Sequence, residues 1–266
     1  MTRITWGEVG ERKFQTGVDR GVLYAPGMNG VPWNGLTSVE EDSNREVSAF
    51  YLDGVKHLEY QSAGDFVGSL SAYTYPDEFD VINGIREYSG EQGMFIHEQP
   101  PQRFGLCYRT KIGNDVDGID LGYKLHILYR LSAVPATNSF QSMDDKIAPV
   151  EFSWNLTGLP VRVPGSRPTC HLSFNSTRLD SAKLDILEDI LYGTESSLPR
   201  LPTPEDIITI IAADYIILIL DNGDGTWSAY GPDDRITMLD FETFQITDAN
   251  AVYLDADTYE IANAYT

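Results

Sequence analysis

FGLCYRTKIGNDVDGIDLGYKLHILYRLSAV, residues 104–134, decides the fold. Phe104, Leu106, Tyr108 and Thr110 alternate with Gly105, Cys107, Arg109 and Lys111. Further on, Leu121, Tyr123, Leu125, Ile127, Tyr129 and Leu131 alternate with Gly122, Lys124, His126, Leu128 and Arg130. Successive side chains of a strand point to opposite faces, so this period of two predicts two long strands, each with an apolar and a polar or basic face. Between them lies GNDVDGID, whose Gly, Asn and Asp tolerate positive φ and bond to their own backbone. The stretch is a long two-sided hairpin.

Working outward, the C-terminal side continues in the same style. Residues 151–157 place Phe152, Trp154 and Leu156 on one face and Glu151, Ser153, Asn155 and Thr157 on the other. Residues 169–175 place Cys170, Leu172 and Phe174 opposite His171, Ser173 and Asn175. Residues 181–192 change period: Leu184, Leu187, Ile190 and Leu191 form a helical stripe, with Asp180 or Ser181 to cap the start and Gly193 to end it. LPRLPTP at 198–204 reads as a stiff connector. A short helix is expected from Pro204, with Glu205 and Asp206 at its positive end, and then five short strands.

On the N-terminal side, residues 1–20 are polar apart from Trp6 and Phe14 and read as an arm that orders against something. Strands are expected at 21–25, 35–42 and 65–75, and residues 77–103 are irregular. Residues 40–64 are mixed and charged around an Asp53-Gly54 turn and suit a projecting hairpin or loop. The fold class that follows is mainly β, a sandwich or half-barrel with one packed α-helix over residues 1–200. A small acidic α+β domain follows at 201–266.

Composition narrows the function. The chain has 266 residues with 40 acids against 19 bases, a formal net charge of −21. Residues 201–266 hold 13 of the acids and a single base, Arg235. Such a molecule repels nucleic acid and anionic membranes at long range, the reverse of a duplex-DNA binder. The opening residues MTRITWGEVGERKF show no apolar signal core, and the longest apolar run, 207–220, is too short for a bilayer and contains Asp214. No membrane insertion is expected. Cys107 and Cys170 are too few for a disulfide framework and read as reduced packing residues.

Catalytic and ligand motifs fail one by one. Residues 221–225 and 115–120 resemble calcium loops, but Gly223 and Ile119 stand where oxygen ligands are required. His57, His97, His126 and His171 have no partners at metal-ligand spacing. There is no nucleophile elbow, dinucleotide fingerprint or phosphate loop. Paired carboxylates carry little weight in so acidic a chain. No enzyme, cofactor or metal is expected. The fifteen tyrosines and four tryptophans keep open a second reading, an acidic monomeric β-module for adhesion or glycan binding.

Several segments in order, YLDGVKHLEY (51–60), AYTYPDEFD (72–80), the central hairpin, FSWNLTGLPV (152–161), LDILEDILYGT (184–194) and LPRLPTPEDI (198–207), resemble the major tail proteins, or tail tube proteins, of long-tailed bacteriophages, especially those of actinobacteria. The resemblance implies a virion subunit that assembles in the host cytoplasm and forms rings, hexameric in that family. The rings stack into a conduit for DNA, with the tape measure protein and tail-end proteins as partners. It also implies an inter-ring contact at Asp53, Gly54, Val55, Lys56, His57 and Leu58. A bore through which DNA slides should not hold phosphates. The faces bearing Glu151, Ser153, Asn155, Thr157, His171, Ser173 and Asn175 are therefore expected to line it. Arg109, Lys111, Lys124 and Arg130 are expected to pair with carboxylates.

Overall fold

The structure, a computed structural model, describes residues 4–44, 47–61, 64–138, 140, 142, 149–195 and 197–212, and beyond these only short strand segments between 218 and 253. It is mainly β, as the patterning predicts, with two helices and no closed barrel among the described residues. The chain divides into two compact units, residues 1–162 with 167–178, and residues 163–166 with 179–266. The charge shift near residue 200 therefore falls inside the second unit.

The first unit contains β1 (Phe14–Tyr24), β2 (Val31–Pro32), β3 (Leu36–Asn44), β4 (Val47–Leu52), β5 (Val55–Gln61), β6 (Asp65–Ala72), β7 (Arg86–Glu87), β8 (Phe95–Ile96), β9 (Phe104–Asn114), β10 (Gly118–Pro135), β11 (Phe152–Gly158) and β12 (His171–Asn175). The main sheet runs β2-β1-β9-β10-β11-β6-β3. Strand β10, at 18 residues, is long enough to seat two strands on one edge. Lys124 to Leu128 pair with β12, and Leu131 to Pro135 pair with β11. The core lies on one side of this sheet and contains Leu23, Trp33, Leu70, Phe79, Phe104, Leu106, Leu128, Leu131, Trp154 and Leu156. Phe79 is its hub, with ring centroids 4.7 Å from Trp33, 5.1 Å from Trp154 and 5.3 Å from Phe104 in tilted or edge-on geometry. Its two buried indoles are satisfied: Trp154 Nε1 donates to Asn83 Oδ1 at 2.7 Å and Trp33 Nε1 to the Thr74 carbonyl at 3.0 Å.

Two expectations are corrected. Residues 14–20 are not arm but the first half of β1, where Phe14, Gln15 and Thr16 pair with Gly113, Ile112 and Lys111 of β9. Residues 40–44 are not loop but the end of β3, paired along β6. The central hairpin forms as predicted, but its two apolar faces do not coincide. His126 is paired with Tyr108 and Leu128 with Leu106, while Leu125 opposes Arg109 and Ile127 opposes Cys107. Each side of the sheet is thus mixed, and Cys107, Leu125, Ile127 and Tyr129 are buried on the side away from the core cluster. Register is set by the turn, and a one-residue offset exchanges the faces. A second offset follows at Arg130, whose φ of 50° marks a bulge between Leu128 and Leu131. The extra residue lets Leu128 and Leu131, three apart, both face the core.

In the second unit, α1 (Ser181–Tyr192) starts where the sequence predicts. Asp180 caps it by accepting from the Ala182 amide at 2.9 Å, and Gly193 stops it at φ 76°. Helix α2 (Pro204–Ala212) opens with a reciprocal cap in which the Asp206 amide donates to Thr203 Oγ1 and the Thr203 amide to Asp206 Oδ2. Lys183 Nζ ties α1 to α2 by donating to the Ile211 carbonyl at 2.6 Å, and the connector is tied back to α1 by the Arg200 amide donating to the Ile190 carbonyl at 2.9 Å. Strand backbones follow as β13 (Leu218–Asp221), β14 (Trp227–Tyr230), β15 (Ile236–Met238), β16 (Phe244–Ile246) and β17 (Val252–Tyr253). Strand β13 pairs antiparallel with β14 and parallel with β17, and β15 pairs with β16. No helix among the described residues is long and apolar enough to cross a membrane.

Candidate functional site

Strands β4 and β5 form a separate two-stranded ribbon, outside the main sheet. Its turn is Asp53-Gly54, both at positive φ (50° and 77°), which matches the right-handed twist of a tight hairpin. Leu52 pairs with Val55, Phe50 with Leu58 and Ser48 with Tyr60, while His57 is the extra residue of a bulge. Alternation therefore collects Phe50, Leu52, Val55, Leu58 and Tyr60 on one face. Every residue of the ribbon is exposed, including Phe50 at 58%, Leu58 at 56% and Val55 at 69%. Lys56 Nζ pairs with Glu59, and both are half exposed. A two-stranded ribbon is marginal alone, and one with a bare apolar face calls for a covering surface. All six residues predicted for an inter-ring contact, Asp53 to Leu58, lie at its tip.

The N-terminal segment adds a second exposed apolar set. Ile4, Trp6 and Val9 are exposed, Trp6 at 84%. The segment is anchored at Gly10, whose amide donates to Asp115 Oδ1 at 3.0 Å and whose carbonyl accepts from Asn114 Nδ2 at 3.2 Å. Asn114 is buried and also donates to Asp117 Oδ2, so it knits the central turn to the arm. The acidic turn rejected as a calcium loop is a structural fastener.

The seven residues predicted for one channel wall divide between two faces. Ser153, Asn155 and Thr157 alternate with the core residues Trp154 and Leu156 and so point away from the core. His171 is paired with Leu128 and Ser173 with His126, on the core side of β10. The bulge at Arg130 lies between the β11 and β12 segments of β10 and causes the exchange. Glu151 precedes β11 and accepts from Thr37 Oγ1 at 2.7 Å. The basic set divides too. Arg109 pairs with Asp19 at 3.1 Å and lies 4.3 Å over the Tyr123 ring, whereas Lys124 stands on the other face, opposite Thr110.

What the sequence does not reveal is a cluster under β3. Glu41 turns inward and meets Tyr108 of β9, His126 of β10 and His171 of β12. The Tyr108 hydroxyl donates to Glu41 Oε1. His126 Nδ1 lies 3.1 Å from Glu41 Oε1 and 3.0 Å from His171 Nε2, and His171 Nδ1 lies 3.5 Å from Glu41 Oε2. His126 Nε2 lies 3.1 Å from Thr110 Oγ1, which in turn accepts from Gln15 Nε2. The rings stack, Tyr108 on His126 at 4.7 Å and His126 on His171 at 5.2 Å. One proton assignment keeps both imidazoles neutral: Thr110 donates to His126 Nε2, His171 Nδ1–H points to the carboxylate, and His126 Nδ1–H is shared between Glu41 and His171 Nε2.

The electrostatics keep Glu41 ionised. Burial pushes the Glu41 carboxyl up, but hydrogen bonds from His126 and Tyr108 and the two nearby imidazoles outweigh it and bring it down to about 2. Burial lowers His171, with Glu41 opposing. Burial and the bond to Glu41 raise Tyr108, which stays a phenol. Spacing rules miss this group because its members come from separate strands joined only by the fold.

A shallow cleft of about 410 Å³ lies elsewhere in the first unit, lined by Tyr75, Asp77, Asp80, Phe95, His97 and Phe152 among others. Burial, reinforced by Asp77, raises the Asp80 carboxyl, with His97 opposing. Cys107 and Cys170 are buried and not in a disulfide, as predicted.

No protein-family model and no curated protein matches the chain. Solved structures do, at low similarity. The tube-terminating cap of the anti-feeding prophage matches at a TM-score of 0.33 and 11% identity, covering 66% of this chain and 97% of that one. The sheath-tube complex of PVC, an extracellular contractile injection system, contains a chain matching at 0.33 and 16% identity, covering 59% of this chain and 88% of that one. The PVC sheath/tube terminator matches at 0.30 and 14% identity, covering 58% of this chain and 93% of that one. Likeness at this level carries no argument about function.

Proposed function

We propose that this protein is a structural subunit of a phage-type tail tube, which forms stacked rings and acts without turnover as a conduit for DNA. The observation that carries the reading is the β4–β5 ribbon, which presents Phe50, Leu52, Val55, Leu58 and Tyr60 exposed on one face, with nothing of the described residues of its own unit over them. A monomer gains nothing from that surface and risks aggregation, whereas a repeating assembly buries it once per copy. The ordered run of tail-tube-like segments along the sequence supports the same reading, and it places the siphovirus type, the hexameric ring, the tape measure protein and the tail-end proteins within this proposal. The exposed Trp6 and Val9 of the N-terminal arm suit a second contact between copies.

Within a tube, the small polar side chains Ser153, Asn155 and Thr157 suit a water-filled wall, since they present no cation to a passing phosphate. The acidic residues after Leu201 suit the outer surface, because six such copies facing a narrow bore would repel one another.

The glycan-binding alternative has the cleft at Tyr75, Phe95 and Phe152, where aromatic rings stand beside the carboxylates of Asp77 and Asp80. Negative-stain microscopy of the purified protein at high concentration separates the two. Rings or filaments support the tube subunit. A monomer at every concentration, retained on a glycan array, supports the alternative and overturns the tube.

A further inference from the structure

We propose that Glu41, His126 and His171 form a binding site for one divalent transition-metal ion of the zinc class. The ligand atoms of these three residues all lie within 4.8 Å of one another. A tetrahedral zinc ion about 2.0–2.2 Å from its nitrogen and oxygen ligands holds them roughly 3.3 Å apart. His126 Nδ1 already stands 3.0 Å from His171 Nε2 and 3.1 Å from Glu41 Oε1. Two edges of the coordination shell therefore exist before any ion enters. Two imidazoles and a carboxylate also match the ligand chemistry that zinc prefers, and they disfavour magnesium and calcium, which take oxygen shells.

The surroundings are those of a supported site. Thr110 Oγ1 sits 3.1 Å from His126 Nε2, so with an ion at Nδ1 the ring turns its remaining N–H to the hydroxyl and keeps its orientation. The Tyr108 hydroxyl donates to Glu41 and fixes the orientation of the carboxylate. His126 is only 5% exposed, which fixes its position, while the side chains of His171 and Glu41 remain 23% and 31% exposed. That opening admits the ion and leaves a fourth position for water. On binding, the ion takes the Nδ1 lone pair of His126 and the ring's single proton moves to Nε2, where Thr110 Oγ1 accepts its hydrogen bond, so the imidazole stays neutral.

The ion would join three strands, β3, β10 and β12, with Tyr108 and Thr110 of β9 behind the ligands. Strand β3 ends at Asn44, and the exposed ribbon begins at Val47. Metal would therefore brace the root of the ribbon. The inference stands on the folded chain and does not require that the chain assemble.

The test uses full-length protein, stripped with a chelator and titrated with zinc sulfate by calorimetry near neutral pH. One equivalent per chain is expected, and cobalt in place of zinc should give the visible absorption of a four-coordinate centre. In His171→Gln and Glu41→Gln the zinc affinity should fall by more than about 100-fold, beyond the loss caused by removing a second-shell partner. In His57→Gln and His97→Gln it should not change. If a cluster variant fails to fold, the wild type still decides: imidazole nitrogen spectra should move for His126 and His171 and stay for His57 and His97. No saturable equivalent, or spectral change confined to His57 or His97, overturns the site, as does unchanged affinity in a folded His171→Gln.

Discussion

The β4–β5 ribbon and the core around Phe79 use the same kinds of side chain and treat them in opposite ways. Phe79 is fully buried and edge-packed against Trp33, Trp154 and Phe104. Phe50 is an equal ring on a paired strand, yet it is 58% exposed. In the core, apolar burial holds one chain together. In the ribbon the same burial is left undone, and the free energy it can release is available to a second surface. The comparison locates stability in the sheet, and the proposed assembly puts association in the ribbon.

Removing the same ring from both places tests that division. Phe79→Ala should cost about 3–5 kcal/mol, transfer plus cavity, and should cut the denaturation midpoint sharply. Phe50→Ala should leave monomer stability within about 0.5 kcal/mol, as expected of a surface change. Equal losses measured by denaturant titration would mean that the ribbon is covered within its own chain.

Truncation probes the second unit. The charge shift suggests a cut after Leu201, but that cut removes α2, whose Ile207 and Ile210 are buried, and the Ile211 carbonyl that receives Lys183. It should forfeit roughly 3–6 kcal/mol of apolar burial and yield poorly soluble protein. A stop after Ala212 keeps both helices and should express as a soluble chain. Equal solubility of the two products contradicts the helix pairing.

A smaller effect is expected at Tyr108→Phe. Glu41 loses one of its donors while His126 and His171 remain, so the cost should be about 1–3 kcal/mol with no effect on association. A neutral result would show that the phenol bond contributes nothing net.

Much of this was readable in the residues, and the losses have definite causes. The helix at 181–192 was legible to its caps because Asp180 and Gly193 act locally. The two strands of 104–134 were legible because alternation is local as well. How they faced each other was not, because pairing Tyr108 with His126 depends on the turn register and on the bulge at Arg130. The same long-range facts hid the Glu41–His126–His171 group and divided the expected wall residues between two faces. The ribbon was legible in place through Asp53-Gly54, but its bare apolar face emerged only once Phe50 was seen opposite Leu58.

The most direct test of the account is the assembly state of wild type beside the double variant Phe50→Asp/Leu58→Asp, measured by sedimentation velocity and negative-stain microscopy on matched concentrations. The account predicts rings or filaments for the wild type and a folded monomer with unchanged thermal midpoint for the variant. A variant that assembles as the wild type does, or a wild type that stays monomeric at the highest concentration reached, contradicts it.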